Sequence, residues 1–474
     1  MSDRFTLVGL DFGTTTSSVA IASAVVGRNA RTGRTELDQI ELTYQSEPVF
    51  TPFVGNALDE VRLGEYLATW LKNIDCREIF GGGALVTGLA AERSNAALFA
   101  RQTRRYLQDA VIALANDACL ESWLAFMGNC ADLSRAHPER PIINLDIGGG
   151  TTNIALGRNG EVERTGSYFV GARHVMVEPG SYRITALSSH ARQLLSHLQI
   201  GKSVGEELAD HEVLAIVDGN LNLLLTAITT AVTGPGGPPA RLLQQVAFTL
   251  PPNTTNPAVT LSGGVGQLVY QHMQGAAWPA KTAYGDLGID FARRIVETQS
   301  WQELLRDYTP RALGRATVYG LLRYSTQASG NTFYLSEPTL LPLDDLLIVG
   351  SLEPTSSAEH LDRLLDLAAR SSCGACVKIN WPEQSPPVRE LATRIREQVV
   401  RHAAFEKIPL VFLMQPNLGK VFGQYLTDWG ISKFNLVVID QIEPRHIQFA
   451  QIGRLHDGVV PVSFFGMNLP EESP

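Results

Sequence analysis

The stretch Asn144-Leu-Asp-Ile-Gly-Gly-Gly-Thr-Thr-Asn153 leaves few folds open. The apolar run Pro141 to Leu145 reads as a buried strand that ends on Asp146, and apolar residues resume at Ile154. Three glycines and two threonines between them make a strand–turn–strand whose backbone amides no side chain blocks. Such a turn can hold a phosphate, and an aspartate at the strand end can hold a metal-bound water. Alone, an Asp-x-Gly-Gly-Gly run is a plain hairpin as often as a nucleotide site. A twin alters that balance. Phe5 to Leu10 is a strand, Asp11-Phe-Gly-Thr-Thr-Thr-Ser17 follows, and Val19 to Ala22 returns. Two copies of one device point to a duplicated nucleotide-binding unit.

A third glycine turn, Ser262-Gly-Gly-Val-Gly-Gln267, joins the strand Pro257 to Leu261 to a helix. It lets a flat ring or a phosphate approach the backbone, and a helix N-terminus favours anionic groups. Its spacing does not match Gly-x-Gly-x-x-Gly, which excludes a dinucleotide site of that kind. Gly81 to Gly88 lacks the terminal Lys-Ser/Thr of a P-loop and reads as the flexible start of a strand. Gly419-Lys420 also lacks that spacing and reads as a plain strand–turn–helix.

Helices are expected over Leu58 to Asn73, Ser94 to Asn116, Cys119 to Gly128, Ile184 to Leu198 and Val213 to Ile228. In the second of these, Arg101, Arg104 and Arg105 read as a solvated face. In the third, Gly128 reads as a C-cap, and Ala125 and Gly128 are small enough for a close helix crossing. Glu121 is the only acid of that helix, and by itself reads more readily as a surface acid than as a site group.

A chain of 474 residues exceeds one core and suits two or three domains. Hydrophobic residues at 44% and charged residues at 18% describe a soluble globular chain. A net charge of −9 argues against a nucleic-acid interface, which needs a basic face. No run of about eighteen apolar residues predicts a membrane span, and the N-terminus has no signal-like segment, so the expected location is cytoplasmic. Five cysteines, an odd number, fit reduced thiols. Cys373-Gly-Ala-Cys376 has redox or metal spacing but no second Cys or His pair, and reads as two small half-buried residues at a strand start.

The three loops Asp11-Phe-Gly-Thr-Thr, Asp146-Ile-Gly-Gly-Gly-Thr-Thr and Ser262-Gly-Gly resemble the nucleotide signature of the actin-like ATPase superfamily. The resemblance implies an α/β fold of two lobes, ribonuclease-H-like duplicated domains, closing over ATP and Mg²⁺. It implies that Gly13, Thr14 and Thr15 hold the β-phosphate side and Gly148, Gly149, Gly150 and Thr151 the γ side. Asp11 and Asp146 would then act on metal-bound waters, and Gly263 and Gly264 would face the adenosine. Glu121, with Asp117 as the alternative, matches the group that orients the attacking water. Phosphoryl transfer needs chiefly positioning and charge neutralisation, which amides and a metal supply.

Within the superfamily, Leu85 to Ala96, Leu120-Glu-Ser122 and the tail from Val437 through Gly453 to Ser463 resemble the ethanolamine ammonia-lyase reactivating factors. That resemblance implies a chaperone-like ATPase that acts on an inactivated, adenosylcobalamin-dependent lyase and drives release of damaged cobalamin. It also implies a link to a bacterial microcompartment, and leaves a homodimer open. The glycine motifs stop near Trp301, so the expected division is a first lobe over 1–140, a second over 141–300 and an additional α/β partner-binding region over 301–474. Two rival readings stand beside this one: a sugar or polyol kinase of the same superfamily, and an actin-like scaffold that does not hydrolyse nucleotide.

Overall fold

The computed structural model describes residues 4–14, 16–29, 33–54, 57–75, 78–86, 95, 103, 107, 113–115, 118–229, 242–252, 254–310, 313–371, 373–382, 387–443 and 447–467. Thr15, Asp117, the Thr87-Gly88 pair and Arg101, Arg104 and Arg105 lie outside these residues.

Apolar strands separated by short turns pair with their sequence neighbours first. β1 (Arg4–Phe12), β2 (Thr16–Arg28) and β3 (Thr35–Gln45) form an antiparallel meander. β4 (Ile79–Val86) and β5 (Ala113–Ala115) add on in parallel, giving the order β3-β2-β1-β4-β5. After the helix α1 (Ala118–Ala136) the same pattern recurs. β6 (Ile142–Ile147), β7 (Thr152–Arg158) and β8 (Glu161–Tyr168) make the meander, with β9 (Gln244–Val246) outside β8. β10 (Ala258–Ser262) then lies parallel to β6 and runs straight into α2 (Gly263–Met273). A meander followed by a strand parallel to its first member, used twice, is the two-lobed actin-like ATPase architecture. The helix Asp210–Thr229 is long and apolar enough to cross a membrane, but its Val213, Val217, Leu221 and Leu224 sit in the core of the second lobe.

The region after residue 301 first returns to the lobes. α3 (Ala316–Gly320) continues as a π-helical turn, Leu321–Ser325, and packs between α1 and the first sheet. Only then does an eight-stranded mixed sheet begin. Its strands are β11 (Thr326–Ser329), β12 (Tyr334–Leu335), β13 (Leu343–Leu352), β14 (Ala375–Ile379), β15 (Leu410–Met414), β16 (Leu436–Ile439), β17 (Ile447–Ile452) and β18 (Val460–Met467). They lie in the order β11-β18-β17-β13-β14-β15-β16-β12. Leu361, Leu365, Leu391, Ile395 and Phe422 from three helices cover one face of it.

Several local expectations are corrected. α1 does not end at Gly128 but runs on to Ala136. A Cβ on Gly128 would lie 1.8 Å from the Ala316 carbonyl oxygen, and one on Gly320 would lie 2.2 Å from that of Leu124. Gly128 therefore serves the helix crossing and not a cap. Gly81, Gly82 and Gly83 lie inside strand β4, where Thr326, the Val8 backbone and Leu321 occupy the space of a side chain. Ile184–Leu187 is a strand paired with Val175–Val177, and its helix starts only at Ser189, capped by the Ser188 hydroxyl. Ala113–Ala115 is a strand where the long helix was expected, and most of that helix lies outside the described residues. Cys373 is exposed and Cys376 buried, rather than both half-buried.

Candidate functional site

The duplicated turns repeat one geometry at a constant offset. The Gly13 amide donates to the Thr16 carbonyl at 3.0 Å, and the Gly148 amide donates to the Thr151 carbonyl at 2.9 Å. Each turn follows directly on the strand that carries its aspartate, Asp11 on β1 and Asp146 on β6. Burial, and then repulsion from Asp146, push the Asp11 carboxyl up to about 7. Burial pushes Asp146 up to about 6, against hydrogen bonds from Ser262 and Thr317 that pull it down. The two turns thus carry two buried carboxyls, near enough for the Asp146 charge to disfavour that of Asp11.

Asp146 is the end of a buried polar chain. The Ser262 hydroxyl donates to Asp146 Oδ1 at 2.6 Å, and Asn144 Nδ2 donates to Ser262 Oγ at 2.9 Å. Asn129 Nδ2 on α1 and the Thr260 hydroxyl both donate to Asn144 Oδ1, at 2.9 and 3.0 Å. The strand that supplies the third glycine turn therefore also orients the second aspartate, because Ser262 pairs with Asp146 across β10 and β6.

The loop Gly148–Thr151 is held from behind. The Ala172 amide donates to the Gly148 carbonyl at 3.1 Å and the Arg173 amide to that of Gly149 at 2.7 Å. His174 Nε2 donates to the Gly150 carbonyl at 2.6 Å, while its Nδ1 lies 2.7 Å from Ser188 Oγ. Burial lowers His174 to about 4, so it is neutral at ordinary pH with its proton on Nε2. A Cβ on Gly171 would meet the Gly149 carbonyl oxygen at 2.4 Å, so glycine is what lets the two segments touch. With these carbonyls bound on one side, the amides of Gly149 and Gly150 have no bonded acceptor among the described residues. That arrangement suits an anion.

The glycines of the third turn divide their work. Gly263 has φ +77° and a Cβ there would lie 2.5 Å from the Ile147 carbonyl oxygen, whereas a Cβ on Gly264 meets nothing within 4 Å. Gly263 lets α2 start against β6, and Gly264 is open to an approaching ring. Glu121 lies in the first turn of α1, half-buried. Ala115 of β5, Leu85 of β4 and Asp11 stand at one level across the first sheet, so α1 starts at the edge that carries Asp11.

A divalent cation fits this donor set. Asp11 Oδ1 is buried without a hydrogen-bond partner among the described residues, and the charge of a second carboxyl, Asp146, reaches it. One or two carboxylates suit an ion such as Mg²⁺, which keeps several waters. Sequence reasoning located both aspartates and all three turns. It missed the role of the Ser262 side chain, and it missed Thr317, His174 and Arg173, which belong to no loop motif. A short Gly171-Ala-Arg-His174 run was the only signal for the last two.

A protein-family model described as ethanolamine utilisation protein EutA matches residues 3–467 of the chain. Proteins of Salmonella typhimurium and Escherichia coli, both described as ethanolamine ammonia-lyase reactivase EutA, are each 26% identical to it, over 98% of this chain and 98% of theirs. Among solved structures, a Ppx/GppA family member of Aquifex aeolicus aligns over 67% of this chain and 87% of its own, with 14% identity and a TM-score of 0.35. The ethanolamine utilization protein EutJ of Carboxydothermus hydrogenoformans aligns over 68% and 90%, with 13% identity and a TM-score of 0.31.

Proposed function

The chain belongs to the ethanolamine utilisation protein EutA family, and from that premise we propose that it is an ATP-dependent reactivating chaperone for ethanolamine ammonia-lyase. The lyase as partner comes from the reactivase description shared by both relatives. The observation that carries the ATPase reading is the pair of buried carboxyls, Asp11 and Asp146, each on a strand that leads into a turn closed by the same amide-to-carbonyl hydrogen bond. Asp11 and Asp146 would hold Mg²⁺, which would supply charge neutralisation on the phosphates.

The chain's own residues supply the rest. Thr14 on one side, and the Gly149 and Gly150 amides on the other, bind phosphate oxygens, while the Gly13 amide closes its own turn onto the Thr16 carbonyl. His174 and Ser262 hold the second loop and its aspartate so that neither must reorganise when charge develops. Gly264 leaves room for the adenine ring, and Glu121, in the first turn of α1, is the residue we assign to orient water. Release of damaged cobalamin then requires that the lyase bind the ATP-loaded and ADP-loaded forms with different affinity, since a partner bound equally by both shifts nothing.

Inactivated lyase incubated with the protein, adenosylcobalamin, Mg²⁺ and ATP should recover activity. Omitting ATP, or using Asp11→Asn or Asp146→Asn protein, should abolish the recovery. No recovery with the unaltered protein would sink the proposal. A phosphorylated sugar or polyol product would indicate a kinase instead, and filaments that pellet with ATP would indicate a scaffold.

A further inference from the structure

None of the three glycine turns contributes a lysine or arginine: Asp11 to Ser17, Asp146 to Thr152 and Ser262 to Gln267 carry no cation. The cation at this place comes from outside the motifs. Arg173 Nη1 donates to the Thr14 carbonyl in the first lobe's turn at 3.3 Å, and its guanidinium lies 5.8 Å from the Phe50 ring centroid, also in the first lobe. Its own backbone amide holds the Gly149 carbonyl of the second lobe's turn at 2.7 Å. One residue therefore links the two phosphate turns, by backbone to one and by side chain to the other.

Arg173 carries a buried charge. Its side chain is only 12% exposed, and its acidic neighbour Asp286 stands 3.9 Å away, beyond the roughly 2.7–2.9 Å of a charge-assisted hydrogen bond. Asp286 also accepts the Gly288 amide at 2.9 Å, so its charge is shared. The planar fork of Arg173 matches phosphate oxygens. A doubly charged terminal phosphate between the turns is a partner of the kind that fork recognises.

We propose that Arg173 is a phosphate ligand that spans the two lobes and gives the site its preference for a nucleoside triphosphate over the diphosphate. The proposal rests on the nucleotide reading above. The γ-phosphate draws the guanidinium away from Asp286, and Arg173 then holds the second lobe's turn by its amide and the nucleotide by its side chain. In the diphosphate state the guanidinium falls back to Asp286 and Thr14.

The test is binding, not turnover. Affinities for a non-hydrolysable ATP analogue and for ADP, each with Mg²⁺, are measured by calorimetry on the full chain and on Arg173→Ala and Arg173→Lys. Losing one charged hydrogen-bonding group costs roughly 10- to 100-fold, so Arg173→Ala should weaken the ATP analogue by at least about tenfold and ADP by much less. Arg173→Lys, which keeps charge and fold but not the fork, should show a smaller loss of the same selectivity. Thermal unfolding of each variant identifies any that fails to fold, in which case the lysine variant decides. Equal losses for both nucleotides, or no loss, overturn the proposal while leaving nucleotide binding intact. An unaltered chain that binds both nucleotides equally overturns it too, and one that binds neither overturns this proposal and the nucleotide reading together.

Discussion

Asp11 illustrates what a buried carboxylate costs the fold. Its ordinary value of 3.8 rises to about 7 because burial and Asp146 both disfavour the charge. The unfolded chain gives up this proton near the ordinary value and the folded chain keeps it until near 7. Stability therefore falls as pH rises through that window, and the deficit persists above it. Asp11→Asn removes the charge, so at about pH 8 without Mg²⁺ it should be more stable than the unaltered chain by on the order of a few kcal/mol, with the gain shrinking toward pH 4. Thermal unfolding at both pH values checks this. A melting temperature at pH 8 that is unchanged or lower would mean that the carboxylate is not held against its preference. A site that loses function and gains stability on one substitution is strained for its task.

At the scale of elements, glycines decide where helices and strands can meet. Gly→Ala inside an exposed helix gains roughly 1 kcal/mol. At Gly128 and Gly320 the sign should reverse, because each Cβ would overlap backbone of the other helix. We expect each substitution to cost more than about 2 kcal/mol and the effects to be far from additive, because both act at one crossing; chemical denaturation of the single and double variants measures this. The third turn gives a second contrast. Gly263→Ala must strain a left-handed residue against the Ile147 carbonyl and should destabilise the fold, whereas Gly264→Ala should leave the melting temperature nearly unchanged and weaken nucleotide binding. Similar melting temperatures for the two variants would contradict this division of labour.

For the whole molecule, the return of α3 to the lobes matters most. Val318 sits over Gly9, Leu321 over Gly83 and Thr326 over Gly81, and Thr317 hydrogen-bonds Asp146. A chain truncated before Ala316 should therefore aggregate or lose cooperative unfolding, although both aspartate–glycine turns and the third glycine turn are still present; calorimetric unfolding of the truncated chain would reveal it. A sharp transition matching that of the full chain would show instead that the lobes fold without this helix. The sequence by itself determined the duplicated strand–aspartate–glycine unit, the third glycine turn and the two aspartates, because each is a local pattern whose strand, turn and residue types lie within a few positions. It misplaced the role of Gly128, since a glycine that ends a helix and one that admits a crossing helix look alike along the chain. Only the tertiary structure could bring Ser262 to Asp146, His174 to Gly150 and Arg173 to Thr14, because pairing of strands far apart in sequence, not local propensity, sets those distances. The loops were legible because their chemistry is local, and what holds and joins them was not, because it is supplied from across the fold.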